Sequence, residues 1–150
     1  MKHLFLCRKG SVNMDLNRFI EAQKHSYEIA LYEMRTGRKR SHWMWYIFPQ
    51  IRGLGFSSTA QYYAIRDKNE AKAYLEHPVL GKRLLEITEA LLKIKGNDAN
   101  EVFGYPDDMK LRSSMTLFYL VSGNDVFKKV LDKFFNGKLD EKTKKLLYSP

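Results

Sequence analysis

Two groups of residues have types and spacings suited to chemistry. The first is Arg38-Lys39-Arg40-Ser41-His42, which runs into Trp43-Met44-Trp45-Tyr46-Ile47-Phe48 and is closed by Pro49. Arginine forks grip phosphate or carboxylate at two points, and histidine exchanges a proton near neutral pH. At such a junction, charged groups can stand at the mouth of a dry pocket. The same letters also fit a buried helix led by a solvated turn, its cations facing the negative pole of a preceding helix. Trp43 and Trp45, two residues apart, cannot share one narrow helical stripe. Either both pack in the core, or one of them lines a pocket and stacks on a base or sugar.

The second group is Pro106-Asp107-Asp108 followed by Arg112-Ser113-Ser114. Asp107 is placed to cap a helix, and Asp108 and Arg112, four apart, would pair on one face. On open surface that pair contributes only about 0.3–0.5 kcal/mol. In a cleft, Arg112 would hold an anion while Asp108 orients it or acts as a base. Ser113 and Ser114 fall mid-helix, where small hydroxylated residues signal close packing, and no histidine nearby in sequence activates them. Gly53-x-Gly55 before Ser57-Ser58-Thr59 could cradle an anion at a helix N-terminus, although a turn and a capped helix explain the same letters. It lacks the lysine and spacing of a P-loop.

The elements that must position these residues are helical. Leu16, Phe19, Ile20, Tyr27, Ala30, Leu31 and Met34 fall on one stripe at spacings of three and four, ended by Gly37. A short buried helix is predicted over residues 43–48, stopped by Pro49. Ser58-x-x-Gln61, Asp67-x-x-Glu70 and Asp98-x-x-Glu101 read as helix starts. They open helices over residues 59–66, from 67 to near His77, and over 99–103. Further helices are predicted over residues 79–95, from Pro106 to Gly123, over 126–135 ended by Gly137, and from Asp140 to Tyr148. His77, before Pro78, reads as a cap. The expectation is an all-α single domain of eight or nine mostly short helices. Continuous apolar sequence over residues 43–48 and 115–121 also fits buried strands.

The chain has 150 residues, enough for one domain with a core, and its 44% hydrophobic content excludes a disordered chain. The formal charge is +9, of which residues 1–13 hold three cations and no acid. The excess favours polyanionic ligands and is also an ordinary background for a small protein. Cys7 is the sole cysteine. It leaves residues 14–150 without a disulfide, a cysteine-based zinc site or a cysteine nucleophile, in keeping with a cytoplasmic setting. Residues 1–13 read as a poorly ordered leader, and residues 14–150 as the helical domain. The longest apolar run, six residues, is far short of a membrane span. His3, His25, His42 and His77 show no metal-ligand spacing, and no cofactor is indicated. Lys138, Lys142, Lys144 and Lys145 read as a solvated face that does not alternate with aromatic platforms, so single-stranded nucleic acid is not favoured.

Longer strings support a resemblance. Asp15-Leu16-Asn17-Arg18-Phe19, the string from Gly37 to Trp45 with Phe48-Pro49-Gln50, and Gly53-Leu54-Gly55 come first. Ala71-x-Ala73-Tyr74-Leu75-x-His77-Pro78-Val79-Leu80-Gly81 and the run from Phe103 to Phe118 follow. Together they resemble the bacterial domain of unknown function numbered 1810, over residues 14–147. Members of that family are sometimes mislabelled calpastatin, a disordered inhibitor that this aromatic, capped sequence contradicts. The resemblance implies an all-helical bacterial protein and brings no activity, substrate or cofactor. A distant likeness to helical proteins that remove ADP-ribose from guanine carries no residue across.

The sequence therefore leads to a pocket for a phosphate-bearing small molecule, a nucleotide or ADP-ribose derivative. Arg40, Trp43, Arg112 and Ser113 are the expected ligand contacts. His42 and Asp108 are the acid and base of a hydrolase if there is chemistry. The competing expectation is a noncatalytic module that binds protein or nucleic acid through its basic surface.

Overall fold

The computed structural model describes residues 16–149. The expected leader lies outside the described residues. Among these, ten helices follow one another: α1 (Asn17–Gln23), α2 (Tyr27–Thr36), α3 (Met44–Ile47), α4 (Ser58–Tyr63), α5 (Lys68–Glu76), α6 (Leu80–Leu92), α7 (Ala99–Phe103), α8 (Asp107–Ser122), α9 (Asp125–Phe135) and α10 (Glu141–Leu147). The first stripe is two helices rather than one. At residues 24–26 the amides of Lys24 and Ser26 donate only three residues back, to Glu21 and Gln23. The break turns the Gln23 amide inward, where Nε2 donates to Tyr46 O (2.8 Å) and the Tyr74 hydroxyl (3.0 Å).

The core is organised around α8. Leu111 and residues 113–118 are buried without interruption, which accounts for its continuous apolar sequence: this is a central helix, not a strand. Helices α5, α7, α9 and α10 pack on α8, while α6 bridges α2, α5 and α9. Capping fixes most of the boundaries. Asp67, Asp98, Asn124 and Asp140 each accept a first-turn amide. His77 Nδ1 accepts the amides of Val79 (3.1 Å) and Leu80 (3.3 Å), so it caps α6 as expected. At α4 the cap is Ser57, not Ser58: its hydroxyl takes the Ala60 amide, and Gln61 reaches back to Phe56 O.

The one-turn helix α3 ends at Phe48, extended before Pro49. The chain then forms an isolated parallel bridge, Ile51 with Ile65. Arg52 N donates to Ile65 O and Ile65 N to Gln50 O, both at 2.8 Å. No helix among the described residues is long and apolar enough to cross a membrane.

Candidate functional site

The cationic loop is built on one buried acid. Helix α2 ends at Gly37, whose φ of +85° turns the chain back over the helix. Glu33, 5% exposed, then points into the loop. Its Oε1 accepts from Arg40 N (2.9 Å), Ser41 N (3.1 Å) and Trp43 Nε1 (2.8 Å), and its Oε2 from the Ser41 hydroxyl (2.6 Å). Burial alone would raise this carboxyl. The bonds from the Ser41 hydroxyl, the Arg40 amide, the indole and the Ser41 amide outweigh burial and hold it below its ordinary value.

Lys39 is turned inward, its side chain 8% exposed. Its Nζ bonds Ser41 O and pairs with Asp107 at 2.8 Å, over the Trp43 ring. Trp43, expected to contact ligand, is 1% exposed and closed off between Phe48 and Phe103. Its indole is committed to Glu33, so it fills the core instead of lining a pocket. Trp45 is half-buried beside a crevice of about 10 Å³ with Gln50, Ile51 and Tyr63. That space holds no more than a water molecule. Arg40 and His42 stand exposed on the outside of the loop.

The second group is arranged differently from its expected pairing. Asp107 does not cap α8: it is drawn to Lys39 and, at 3.6 Å, to Lys110. Asp108 does not pair with Arg112. It accepts from Met109 N (2.8 Å) and Asn100 Nδ2 (3.3 Å). Arg112 reaches Asp140 at 3.5 Å, and Ser113 Oγ lies 3.2 Å from the same carboxylate. Asp140 also caps α10 through Thr143. Arg112 and Ser113 thus fasten α10 to α8. Asp107 and Arg112, five residues apart, lie roughly 140° apart around the helix. The loop therefore meets one face of α8 and Asp140 another. Among the described residues no hydrogen bond or ion pair joins the Arg40 or His42 side chain to Asp108 or Arg112.

A third place, absent from the sequence expectations, gathers positive charge. Ile51 and Ile65 of the bridge are buried, and side chains alternate along extended chain. The next residues, Arg52 and Arg66, therefore leave the parallel pair on the same outward side. With Arg18, Gln61, Tyr62 and Ala64 they line a cleft of about 290 Å³. Arg18 Nε donates to Tyr62 O and Nη2 to Ala64 O, both at 2.7 Å, and its fork pairs with Glu70 at 3.1 and 3.2 Å. Glu70 is 3.5 Å from Arg66 and accepts the Arg66 amide. Arg18 and Arg66 thus share the Glu70 carboxylate, and Arg52 joins them in lining the cleft. In sequence the three arginines are too far apart to suggest a cluster, and the bridge that aligns two of them has no local signature.

With this geometry in hand, the comparisons decide the family. The model described as "Protein of unknown function (DUF1810)" matches residues 13–147. The chain belongs to that family. The conserved hypothetical protein Rv1873 from Mycobacterium tuberculosis, known from a crystal structure, is 47% identical to this DUF1810 chain. The match covers 91% of this chain and 98% of that one, with a TM-score of 0.88. No protein of curated function matches.

Two other clefts of this DUF1810 protein are comparable in size and balanced in charge. One, of about 480 Å³, sets Arg35 and Lys93 against Glu86 and Glu89. The other, of about 350 Å³, sets Lys93 and Lys129 against Glu89 and Asp125. Of the three, the arginine cleft is the one with cations and no acid among its described lining residues. No three His, Cys, Asp or Glu side chains among the described residues could hold a metal ion.

Proposed function

We propose that the protein binds a phosphate-bearing small molecule in the cleft of Arg18, Arg52 and Arg66. The observation that carries this reading is the lining: Arg52 stands exposed in one cleft with Arg18 and Arg66, and no acid lines it among the described residues. Arg18 is largely spent on Glu70 and on the carbonyls that end α4, so it fixes the wall of the cleft. Arg52 is exposed and supplies a fork whose N–H groups donate to phosphate oxygens. His42 and Asp108, the candidate acid and base of a hydrolase, do not line this cleft, so the reading is one of binding without a catalytic step.

The test is thermal unfolding of the full chain with inorganic phosphate, pyrophosphate and ribose 5-phosphate. At a hundredfold excess over Kd, a bound ligand adds roughly 2.7 kcal/mol, or about 5–10 °C for a domain of this size. Arg52→Ala should remove the rise. No rise with any of the three compounds, or a rise unchanged in Arg52→Ala, would overturn the proposal. Binding that tracks polyanion length and collapses with salt would favour the basic-surface module instead.

A further inference from the structure

Apart from the cleft, we infer that the loop of residues 38–42 binds the phosphate backbone of double-stranded nucleic acid, through Arg38 and Arg40 with His42 beside them. Inward and outward side chains alternate along this loop. Lys39 is drawn to Asp107, Ser41 to Glu33, and Trp43 is sealed in the core, while Arg38, Arg40 and His42 are exposed. None of these three side chains forms a hydrogen bond or ion pair with a described residue. The backbone that carries them is tied down at every residue. The Arg38 amide donates to Glu33 O (3.0 Å) and the Lys39 amide to Val102 O (2.8 Å). The Arg40 and Ser41 amides donate to the Glu33 carboxylate, and His42 O accepts from the Tyr46 hydroxyl at 3.4 Å. Two free guanidinium groups therefore stand on a frame that is already ordered, so binding has little backbone to immobilise.

The surroundings select the partner. From Met34 to Arg66 the chain holds six cations and no acid. A Cβ at Gly37 would meet Ile94 at 3.9 Å, so the exposed Lys93 and Lys95 flank the start of the loop. Asp107 is taken by Lys39 and Lys110, and Asp98 by the first amides of α7. Glu101, exposed beside Val102, is the acid that opposes these cations. None of the four clefts above is lined by Arg38, Arg40 or His42, so the cations are offered to a partner's surface. Trp43, Met44, Ile47 and Phe48 are buried, and Trp45 and Tyr46 half-buried. The loop thus lacks the exposed apolar centre on which a protein partner packs, and the open aromatic platform on which single-stranded bases stack. Charge is what remains. A duplex presents its phosphates without needing either feature, and arginine forks donate to those oxygens without reading sequence.

The experiment is fluorescence anisotropy of a short labelled DNA duplex of arbitrary sequence, titrated with the full chain at salt from about 50 to 200 mM. Affinity should fall linearly on logarithmic axes as salt rises. Arg38→Ala/Arg40→Ala should make that slope shallower by about 1.8, two phosphate contacts at about 0.9 each. Both side chains are exposed and unpaired, so this variant keeps the fold; a matching far-ultraviolet spectrum and unfolding midpoint verify it. Lys142→Ala/Lys145→Ala removes the same charge from exposed positions on α10, which Asp140 joins to another face of α8, and should leave the slope unchanged. Arg52→Ala should also leave it unchanged, so the loop and the cleft stand or fall separately. No saturable binding at about 50 mM salt would overturn the inference. A slope that falls as far in either control as in the loop variant would do the same. So would tighter binding of polyglutamate than of the duplex, which marks an acidic protein segment as the partner.

Discussion

Replacing Glu33 gives the sharpest test of how the cationic loop is held. The carboxylate receives four hydrogen bonds, three from groups of the loop backbone or Ser41 and one from the buried indole of Trp43. Glu33→Gln keeps the shape and lets Oε1 retain its three donors, while the new amide nitrogen donates to the Ser41 oxygen. What is lost is charge assistance, the difference between bonds of about 1.5–3 kcal/mol to a charged group and about 0.5–1.5 kcal/mol to a neutral one. Part of that difference is offset by no longer burying a charge, so the expected cost is about 1–3 kcal/mol. Glu33→Ala strands the indole N–H and opens a cavity, and should cost about 3–5 kcal/mol. For a domain of this size that is a fall of roughly 10 °C in Tm.

Urea unfolding followed by tryptophan fluorescence is the assay, since Trp43 is a direct reporter of the loop. The pH dependence has a defined sign. The folded carboxyl is held below its unfolded value, so its contribution is fully present above about pH 4.3 and is lost as pH falls through the folded pKa. The gap between wild type and Glu33→Gln should therefore narrow below about pH 4. A Glu33→Gln midpoint equal to wild type at pH 7, or a gap that widens on acidification, would refute the account.

Two further substitutions test the packing. Gly81→Ala, in the first turn of α6, should destabilise by at least about 2 kcal/mol in urea titrations, because a Cβ there would overlap the Leu75 carbonyl. A gain of about 1 kcal/mol, as helix propensity alone predicts, would contradict that contact. Ser114→Ala should be neutral or up to about 1 kcal/mol stabilising, since the fully buried Oγ has no hydrogen-bond partner among the described residues. A loss above about 1 kcal/mol would show that the hydroxyl is satisfied after all.

The sequence was most legible where the physics is local. Asp98 places its carboxylate on the amides of Asn100 and Glu101, and the helix it opens spans the expected residues. Gly37 and Gly123 stop their helices as left-handed residues. Legibility fails where a polar side chain has a distant partner. Asp107 satisfies the local rules for a cap, but Lys39, sixty-eight residues earlier, takes its carboxylate. Arg112 has Asp108 within reach on its own helix, yet Asp140 is fixed as a cap and draws it away. Glu33 left a trace: an acid between the apolar Leu31 and Met34 marks a carboxylate headed inward. The arginine cleft left none, because parallel pairing depends on two segments that are unremarkable when read separately.

That pairing has a consequence for engineering. The two backbone hydrogen bonds between residues 50–52 and 65 close the neck of an excursion that carries α4. The separation of Arg52 and Arg66 is set at that neck, by main-chain atoms, and not by whatever lies between them. The exposed positions between them, Ser57, Ser58 and Thr59 among these, can be exchanged while the two cationic posts keep their spacing, whereas Tyr63, packed on Phe19 and Tyr46, ties the excursion to the core.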